Sequence, residues 1–287
     1  MSSMADDQAL FSLSLSADLA AAAADPELIA LQRRLQDALL MQQLRMVFQP
    51  IFDIHSLRLH SAEALLRWRH PELGEVSPSR FIPLAERSSL IIELGRHVLD
   101  QTTGQIAQWQ AQGLAPVPVA INVSGAELKD PEFPQQVAAA LQRHGLAGEL
   151  LGVEVTEHGL ISDFPRVTEN LHATGALGVG FSLDDFGTGY SSFKYLRHLP
   201  IRALKIDREF VAGVDVDVRD QRIVRAMVAL AHSLQVKVIA EGVETEAELA
   251  TLRKLKCDYV QGFLTGRPMA PEDFAGLLSA AGATSPT

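Results

Sequence analysis

The chain has 287 residues, of which 47% are hydrophobic and 6% aromatic, which is enough apolar material for one large core or two small ones. This composition excludes a disordered chain, a collagen and a small disulfide scaffold. Lys and Arg number 25 against 35 Asp and Glu, and the net charge of −10 makes duplex nucleic acid a poor partner. The single cysteine, Cys257, fits a reducing compartment. No apolar stretch is long enough to span a bilayer, so we expect a cytoplasmic protein without a membrane span.

Two segments precede the main domain. Residues 1–25 are rich in Ser, Ala and Asp, and we expect a disordered tail or linker there. From Pro26 onward, leucines recur at intervals of three and four residues, which predicts an N-terminal amphipathic helix over residues 26–45. The recurring residues are Leu28, Leu31, Leu35 and Leu39. This helix either packs against the domain that follows or forms a signalling or dimer-forming stalk.

Residues 46–280 alternate short apolar runs with helical patterns, which favours an α/β fold and a TIM-like (β/α)8 barrel over an open sheet. The predicted strands are Met46–Ile54, Leu57–Trp68, Val117–Val123, Leu150–Thr156, Val179–Asp184, Ala203–Ile206, Val236–Ala240 and Tyr259–Gly262. The predicted helices are Ser88–Gln112, Phe133–His144, Phe164–Thr174, Asp220–Gln235 and Glu246–Leu255. The first two strands are too close in sequence for a helical crossover, so we expect an antiparallel hairpin. Residues 281–287 are expected to form a C-terminal tail.

Polar side chains fall inside these apolar strands or at their ends, where a carboxylate is costly unless it is paired or bound to a metal. They are Glu63, Asn122, Glu154, Asp184 and Asp185. The carboxyl ends of barrel strands face one mouth, so we expect these groups to converge. Oxygen ligands suit Mg²⁺ or Mn²⁺, and two adjacent aspartates hint at a two-metal site for phosphoryl displacement. The alternative is a set of separate structural pairs with Arg, Lys or the backbone.

Three later strands end in residues that fit the same mouth. Lys205 and Asp207 lie two residues apart, so they share one face of a strand. Lys205 either positions water and offsets developing negative charge, or forms an ion pair such as one with Asp207. Glu241 and Glu244 follow the seventh strand, although Glu244 also suits the charged first turn of a helix. Gln261 ends the eighth strand.

A glycine-containing segment, Asp-Asp-Phe-Gly-Thr-Gly-Tyr-Ser-Ser over residues 184–192, follows the predicted acids. Gly187 and Gly189 flank a threonine there, which indicates either a mobile gating loop or a plain turn. The ordered set of motifs resembles the EAL-domain cyclic di-GMP phosphodiesterases, a family of bacterial second-messenger signalling enzymes named for the tripeptide present here as Glu63-Ala64-Leu65. The resemblance runs from about Leu31 to Leu278. It includes Gln49-Pro50-Ile51, Asn122-Val123-Ser124, Glu154-Val155-Thr156-Glu157, Leu204-Lys205-Ile206-Asp207, Glu241-Gly242-Val243-Glu244-Thr245 and Gln261-Gly262.

The resemblance implies a barrel with an antiparallel first strand and two bound divalent cations, Mg²⁺ or Mn²⁺, with Ca²⁺ expected to inhibit. One cation is implied at Glu63, Asn122, Glu154 and Asp184, and the second at Asp184, Asp185 and Glu241. The implied catalytic residues are Lys205, which orients the attacking water, together with Glu241 and Asp185. Positions implied near the substrate are Gln49, Leu66, Arg67, Asp207 and Gln261. Those implied to support the loop and metal site are Thr156, Glu157, Glu244, Gly187 and Gly189.

The implied reaction is hydrolysis of one phosphodiester bond of cyclic di-GMP, which gives linear pGpG. The resemblance also implies a homodimer, with a helix near the loop of residues 186–192 as its interface. An upstream sensor domain or a regulatory partner is a further hypothesis. Two alternatives remain open at this point. One is a catalytically silent cyclic di-GMP receptor that acts through a protein partner, and the other is a metal hydrolase of a different phosphodiester.

Overall fold

The computed structural model describes residues 26–161, 163–187 and 199–283. The described residues divide into two compact units, one within residues 26–45 and 67–90 and the other within residues 46–66 and 91–283. Strands in the described residues are β1 Leu44–Asp53, β2 Leu59–His70, β3 Gly74–Val76, β4 Val119–Val123, β5 Leu151–Thr156, β6 Gly180–Phe186, β7 Ile201–Ile206, β8 Lys237–Ala240 and β9 Tyr259–Val260. The α-helices there are α1 Pro26–Leu40, α2 Pro78–Glu86, α3 Leu90–Ala111, α4 Gly125–Lys129, α5 Phe133–His144, α6 Glu157–Ile161, α7 Phe164–Gly175, α8 Arg208–Val211, α9 Val218–Ser233, α10 Glu246–Lys254 and α11 Pro271–Ala283. The tail expected over residues 1–25 lies outside the described residues.

The smaller unit packs α1 on α2 and contains a short hairpin. The buried face of α1 consists of Leu31, Leu35 and Ala38. The end of β2 pairs antiparallel with β3, and Trp68 lies opposite Val76. The buried Trp68 ring meets Phe81 edge-on, with 5.7 Å between the ring centroids. The helix predicted over residues 26–45 ends at Leu40, and β3 and α2 were not among the predicted elements.

Eight strands close into a barrel in the larger unit. Their order is β1, β9, β8, β7, β6, β5, β4, β2, and β1 closes the ring by pairing with β2. Neighbouring strands from β2 round to β9 run parallel, whereas β1 is antiparallel to β9, with Phe52 opposite Val260. A tight turn joins β1 to β2, in which the Asp53 N–H donates to the Arg58 carbonyl at 2.9 Å. The prediction of a TIM-like barrel with an antiparallel first strand is therefore confirmed.

Helices α3 and α11 cover the barrel with an aromatic cluster. The Phe48 ring lies 4.9 Å from Trp109 and 6.0 Å from Phe274, and the Trp109 indole N–H donates to the Pro271 carbonyl. Helix α11 continues to Ala283, into the segment expected to be a tail. Cys257 is buried in the same unit, and burial raises the pKa of its thiol to about 12. Within the described ranges, no helix combines the length and the apolar character that crossing a membrane requires.

Candidate active site

The carboxyl ends of the parallel strands bring the predicted acids to one mouth of the barrel. The register places Asn122 on β4 opposite Glu154 on β5, and Thr156 on β5 opposite Asp184 on β6. A cavity of about 240 Å³ opens there. Of the predicted residues, it is lined by Gln49, Glu63, Asp184, Lys205, Glu241, Glu244 and Gln261.

Lys205 lies at the centre of these acids, with 1% of its side chain exposed. Its Nζ is 2.5 Å from Glu154 Oε2 and 2.6 Å from Glu241 Oε1. It is also 3.2 Å from Glu63 Oε2 and 3.7 Å from Asp184 Oδ1. The ammonium therefore faces four carboxylates, which come from β2, β5, β6 and the segment that follows β8. The same-face partner that the sequence suggested, Asp207, instead caps α8 by accepting a hydrogen bond from the Glu209 N–H at 2.7 Å.

One ammonium does not neutralise four carboxylates. Burial raises the pKa of Glu154 well above its ordinary value, and the neighbouring carboxylates raise it further against the opposing effect of Lys205. Burial likewise raises the pKa of Glu241 to about 8, although Lys205 lowers it. For Lys205, burial lowers the pKa, but the surrounding carboxylates outweigh burial and hold the pKa well above its ordinary value. The mouth therefore carries a surplus of acidic oxygens.

A layer of amide side chains fixes the orientation of Glu63. The Asn122 Nδ2 donates to Glu63 Oε1 at 2.7 Å, and the Gln261 Nε2 donates to Glu63 Oε2 at the same distance. Gln261 Nε2 also lies within 3.3 Å of Gln49 Oε1, and Gln49 in turn donates to the Gly266 carbonyl. The carbonyl oxygen of the Gln261 side chain is buried without a hydrogen-bond partner in the described part of the chain. That oxygen is an acceptor without a donor, as expected of a group that meets a ligand.

The donor set at the mouth fits hard divalent cations, because it consists of carboxylates, the Asn122 amide and the orphaned Gln261 oxygen. In the described ranges, no group of three or more Asp, Glu, His or Cys side chains is arranged so that it could hold a metal ion. The Lys205 ammonium lies among the carboxylates instead. The residue types thus fit a cation, and in this structure the positive charge among them is the Lys205 ammonium.

The paired aspartates occupy an irregular strand end. The ladder between β6 and β7 shifts register between Leu183 and Phe186, the interval that contains both aspartates. Asp185 has a φ of 54°, a left-handed backbone angle that is uncommon outside glycine. Its N–H donates to Asp184 Oδ1 at 3.0 Å. Burial raises the pKa of Asp185, and Asp184 adds to the effect. Irregularities of this kind re-aim side chains next to functional sites.

The structure corrects one predicted substrate contact on β2. Leu65 lines the cavity, whereas Leu66 is buried with 9% exposure, because successive side chains of a strand point to opposite faces. Leu65 has the same parity as Glu63, so the alternation along the strand was the signal that identifies it. Arg67 is half-buried on the part of β2 that belongs to the smaller unit.

The predicted support residues lie at strand and helix ends. Thr156 ends β5, and its Oγ1 accepts a hydrogen bond from the Gly159 N–H at 3.3 Å. Glu157 is buried at the start of α6. Gly187, within the predicted loop segment, has a φ of 101°, whereas Gly189 lies outside the described residues.

Arg208 and Phe263 also line the cavity and are not among the site residues that the sequence predicts. Glu244 pairs with Arg208, whose Nη2 lies 2.8 Å from Glu244 Oε1, and both side chains line the cavity. Phe263 also lines the cavity, and the Arg267 guanidinium lies 4.1 Å from the centre of its ring. An arginine at the start of a helix and an exposed phenylalanine carry no local signal of a site, so neither residue stands out in the sequence.

Fold and site together define an α/β barrel with an acid-rich pocket at the carboxyl ends of its strands. The family model of the EAL domain matches residues 32–268, and the chain belongs to the EAL domain family.

Curated relatives share the same region. The chain is 42% identical over 246 residues to the bifunctional diguanylate cyclase/cyclic di-GMP phosphodiesterase MucR of Pseudomonas aeruginosa, covering 86% of this chain and 36% of MucR. It is 40% identical over 241 residues to the cyclic di-GMP phosphodiesterase NbdA of the same species, covering 84% of this chain and 31% of NbdA. The chain thus spans about a third of the length of these curated relatives.

Solved structures show the same barrel. The PaMucR phosphodiesterase in complex with c-di-GMP matches with a TM-score of 0.81 and 42% identity, covering 86% of this chain and 99% of that one. The EAL domain of Mycobacterium smegmatis DcpA matches with a TM-score of 0.70 and 32% identity, covering 82% of this chain and 96% of that one.

Proposed function

We propose that the chain hydrolyses one phosphodiester bond of cyclic di-GMP and releases linear pGpG. The observation that carries this proposal is the buried Lys205 ammonium held among four carboxylates at the mouth of the barrel. Membership of the EAL domain family supports it. So does the similarity to proteins named as cyclic di-GMP phosphodiesterases and to a structure described as a c-di-GMP complex.

Two divalent cations, Mg²⁺ or Mn²⁺, are proposed to bind at the acids of the mouth. The residues proposed to hold them are Glu63, Asn122, Glu154 and Asp184 for one, and Asp184, Asp185 and Glu241 for the other. When bound, these cations supply positive charge that stabilises the attacking and leaving oxygens of the displacement. They also explain how an acidic pocket accepts an anionic dinucleotide.

Lys205 is proposed to position the attacking water. Its ammonium remains protonated because carboxylates surround it, so it serves as a hydrogen-bond donor and a fixed positive charge rather than as a base. The water oxygen bonds to phosphorus as the bond from phosphorus to the ribose O3′ breaks. The proton of the water passes to a carboxylate, for which Asp185 and Glu241 are the proposed acceptors, and O3′ takes up a proton.

Other residues of the mouth are proposed to orient the substrate. Gln49 and Gln261 line the cavity and carry amide groups that match hydrogen-bonding edges of a guanine base. Leu65 supplies an apolar wall beside them. Arg67 keeps its predicted role as a phosphate contact on the resemblance alone.

Turnover of cyclic di-GMP by the purified chain tests the proposal. We expect pGpG with Mg²⁺ or Mn²⁺, no product with EDTA, and inhibition by Ca²⁺. Tight binding without product under every metal would contradict the proposal and identify a receptor. Faster hydrolysis of a linear dinucleotide than of cyclic di-GMP would contradict it as well and indicate a different phosphodiester substrate.

A further inference from the structure

Arg208 lines the same cavity as Lys205, and the proposed reaction gives it no role. Lys205 is enclosed by four carboxylates and exposes 1% of its side chain. Arg208 exposes 58% of its side chain at the rim. Of these two cationic side chains, Arg208 is therefore the one that an incoming anion reaches without first displacing a carboxylate.

The backbone at Gly242 leaves room for the stem of Arg208. Gly242 has a φ of 68°, and a Cβ built there would lie only 2.5 to 2.9 Å from the Cγ, Cβ and Cδ atoms of Arg208. Any larger residue at position 242 would displace the arginine, because these atoms belong to the part of the side chain nearest its own backbone. The glycine after Glu241 therefore leaves space for the aliphatic part of the Arg208 side chain beside the cavity.

Glu244 holds the far end of Arg208 and is itself anchored. The Arg208 Nη2 lies 2.8 Å from Glu244 Oε1. The Glu244 N–H donates to the buried carboxylate of Glu248, which also accepts from the N–H groups of Thr245 and Gly213. Glu248 thus ties the segment after β8 to the turn that follows α8. The segment that carries Arg208 and the segment that carries Glu244 are therefore connected through Glu248, and this connection positions the guanidinium.

The contact with Glu244 leaves most donors of Arg208 available. It is the one polar contact of this guanidinium within the described ranges, and it engages Nη2. A guanidinium carries five N–H donors in one plane, so it can bind a carboxylate along one edge and a phosphate along another. Arg208 thus combines one contact with a carboxylate and 58% side-chain exposure beside the cavity, an arrangement expected of a phosphate anchor that is held in place before the ligand arrives.

Cyclic di-GMP has two phosphodiester groups, each with one negative charge, and one of them is cleaved at the cluster around Lys205. The other phosphodiester needs a cation outside that cluster that still has hydrogen-bond donors available, as Arg208 has beyond its contact with Glu244. We propose that Arg208 binds the phosphodiester group that is not cleaved. This inference rests on the proposed function of the same site.

Binding and kinetics of Arg208→Gln and Arg208→Lys test the inference, with Arg225→Gln as the matched control. Arg225 is an exposed arginine of α9 that does not line the cavity. Binding is measured with Ca²⁺ in place of Mg²⁺, so that turnover is suppressed. We expect Kd and KM of Arg208→Gln for cyclic di-GMP to rise by about 10- to 100-fold, with kcat nearly unchanged, because one charge-assisted contact is lost. Arg208→Lys recovers part of the affinity, and Arg225→Gln behaves like the unmodified chain.

A small substrate separates an anchor from general damage. Bis(4-nitrophenyl) phosphate has a single phosphodiester, so Arg208→Gln should hydrolyse it as fast as the unmodified chain does. An unchanged Kd for cyclic di-GMP overturns the inference, and an equal loss on both substrates does so as well. The loss of affinity should also shrink as salt rises, because an ion pair is screened; a loss independent of salt would assign Arg208 to a base instead. If the unmodified chain binds cyclic di-GMP without turning it over, the proposed function fails, and the Kd values still decide the role of Arg208.

Discussion

Lys205 and Glu154 each expose only 1% of their side chains, so both charges depend on each other and on their neighbours for the solvation that water no longer provides. Removing one partner of a buried ion pair leaves an uncompensated charge and costs about 3 to 5 kcal/mol. Here the loss of the lysine would strand several carboxylates at once. A bound cation could replace it as their counter-charge, which links folding stability to metal binding.

We therefore predict that Lys205→Met lowers the melting temperature in EDTA and abolishes turnover. Adding Mg²⁺ should raise the melting temperature of this variant by more than it raises that of the unmodified chain. Thermal unfolding with EDTA and with Mg²⁺ measures both effects. Lys254→Met is the control, because Lys254 is exposed in the last turn of α10. Equal melting temperatures of Lys205→Met and the unmodified chain in EDTA would show that the ammonium does not stabilise the acids.

Glu63→Ala should fail for a different reason. If Glu63 holds a cation, its removal raises the Mg²⁺ concentration needed for half-maximal turnover, whereas Lys205→Met lowers turnover even at saturating Mg²⁺. Metal titrations of the initial rate distinguish the two variants. Full activity of Glu63→Ala at low Mg²⁺ would remove Glu63 from the proposed ligands.

Burial determines which site residues the sequence reveals. Glu63, Glu154 and Lys205 stand out because each interrupts an apolar strand, and the structure brings all three together. Arg208 does not stand out, because its exposed side chain breaks no pattern and its place follows from a contact with Glu244 in a different segment. The resemblance implies Leu66 near the substrate, but Leu65 is the residue that lines the cavity, because side chains alternate between the two faces of a strand.

At the scale of elements, the capping box at the start of α10 caps the helix and also connects two segments of the chain. Thr245 accepts from the Glu248 N–H, and the Glu248 carboxylate accepts from Thr245, Glu244 and Gly213. Burial raises the pKa of Glu248, but these backbone hydrogen bonds outweigh burial and keep the pKa below its ordinary value. The side chain therefore works as an ionised clamp between two segments that border the cavity.

We predict that Glu248→Ala lowers stability more than Thr245→Ala does. Loss of the threonine cap costs about 1 kcal/mol, as for other helix caps. Loss of Glu248 leaves three backbone N–H groups without their acceptor and frees the segment that carries Glu244. Urea unfolding of both variants measures the difference. If the two variants unfold at the same urea concentration, the clamp acts as an ordinary cap and no more.

The sequence predicts the elements that have a clear hydrophobic period or an unusually short connection. The short link between the first two strands required a hairpin, and β1 is the antiparallel strand of the barrel. β3 has three residues, too few for an alternating pattern, and α2 contains Pro83, which obscures a helical pattern. β9 has two residues because its pairing partners end there, a limit that comes from the barrel and not from its own sequence.

At the scale of the whole molecule, carboxyl groups outside the mouth set the response to acid. Those with a pKa below the ordinary value are Asp53, Asp100, Glu248 and Asp258. For Asp258, burial raises the pKa, but hydrogen bonds from Lys237, His232 and the Val238 N–H outweigh it. A lowered pKa gives stability that is present above the pKa of the unfolded chain and is lost as pH falls through the folded value.

The free energy of unfolding should therefore decline as pH falls below about 4, the ordinary aspartate pKa. Asp258→Asn should be less stable than the unmodified chain at neutral pH, and its decline with acid should be shallower. Urea unfolding at a series of pH values checks both. A parallel decline in the two proteins would mean that Asp258 contributes nothing to the acid response.

The predicted homodimer and its regulation by a sensor domain or partner stay predictions. The interface suggested by the resemblance adjoins residues 186–192, most of which lie outside the described residues. Light scattering of the purified chain measures the oligomeric state. A monomer at working concentration would contradict the predicted homodimer.

Hydrolysis of cyclic di-GMP in water enriched in ¹⁸O tests the central claim most directly, because it reports which atom the water attacks. With Mg²⁺, we predict that each pGpG formed from unlabelled substrate in a single turnover carries one ¹⁸O, located on its 5′-phosphate. The label appears there because water adds to phosphorus and the ribose O3′ departs. Unlabelled pGpG, label on a ribose oxygen, or no product despite bound substrate would contradict the assignment of this mouth as the site of phosphodiester hydrolysis.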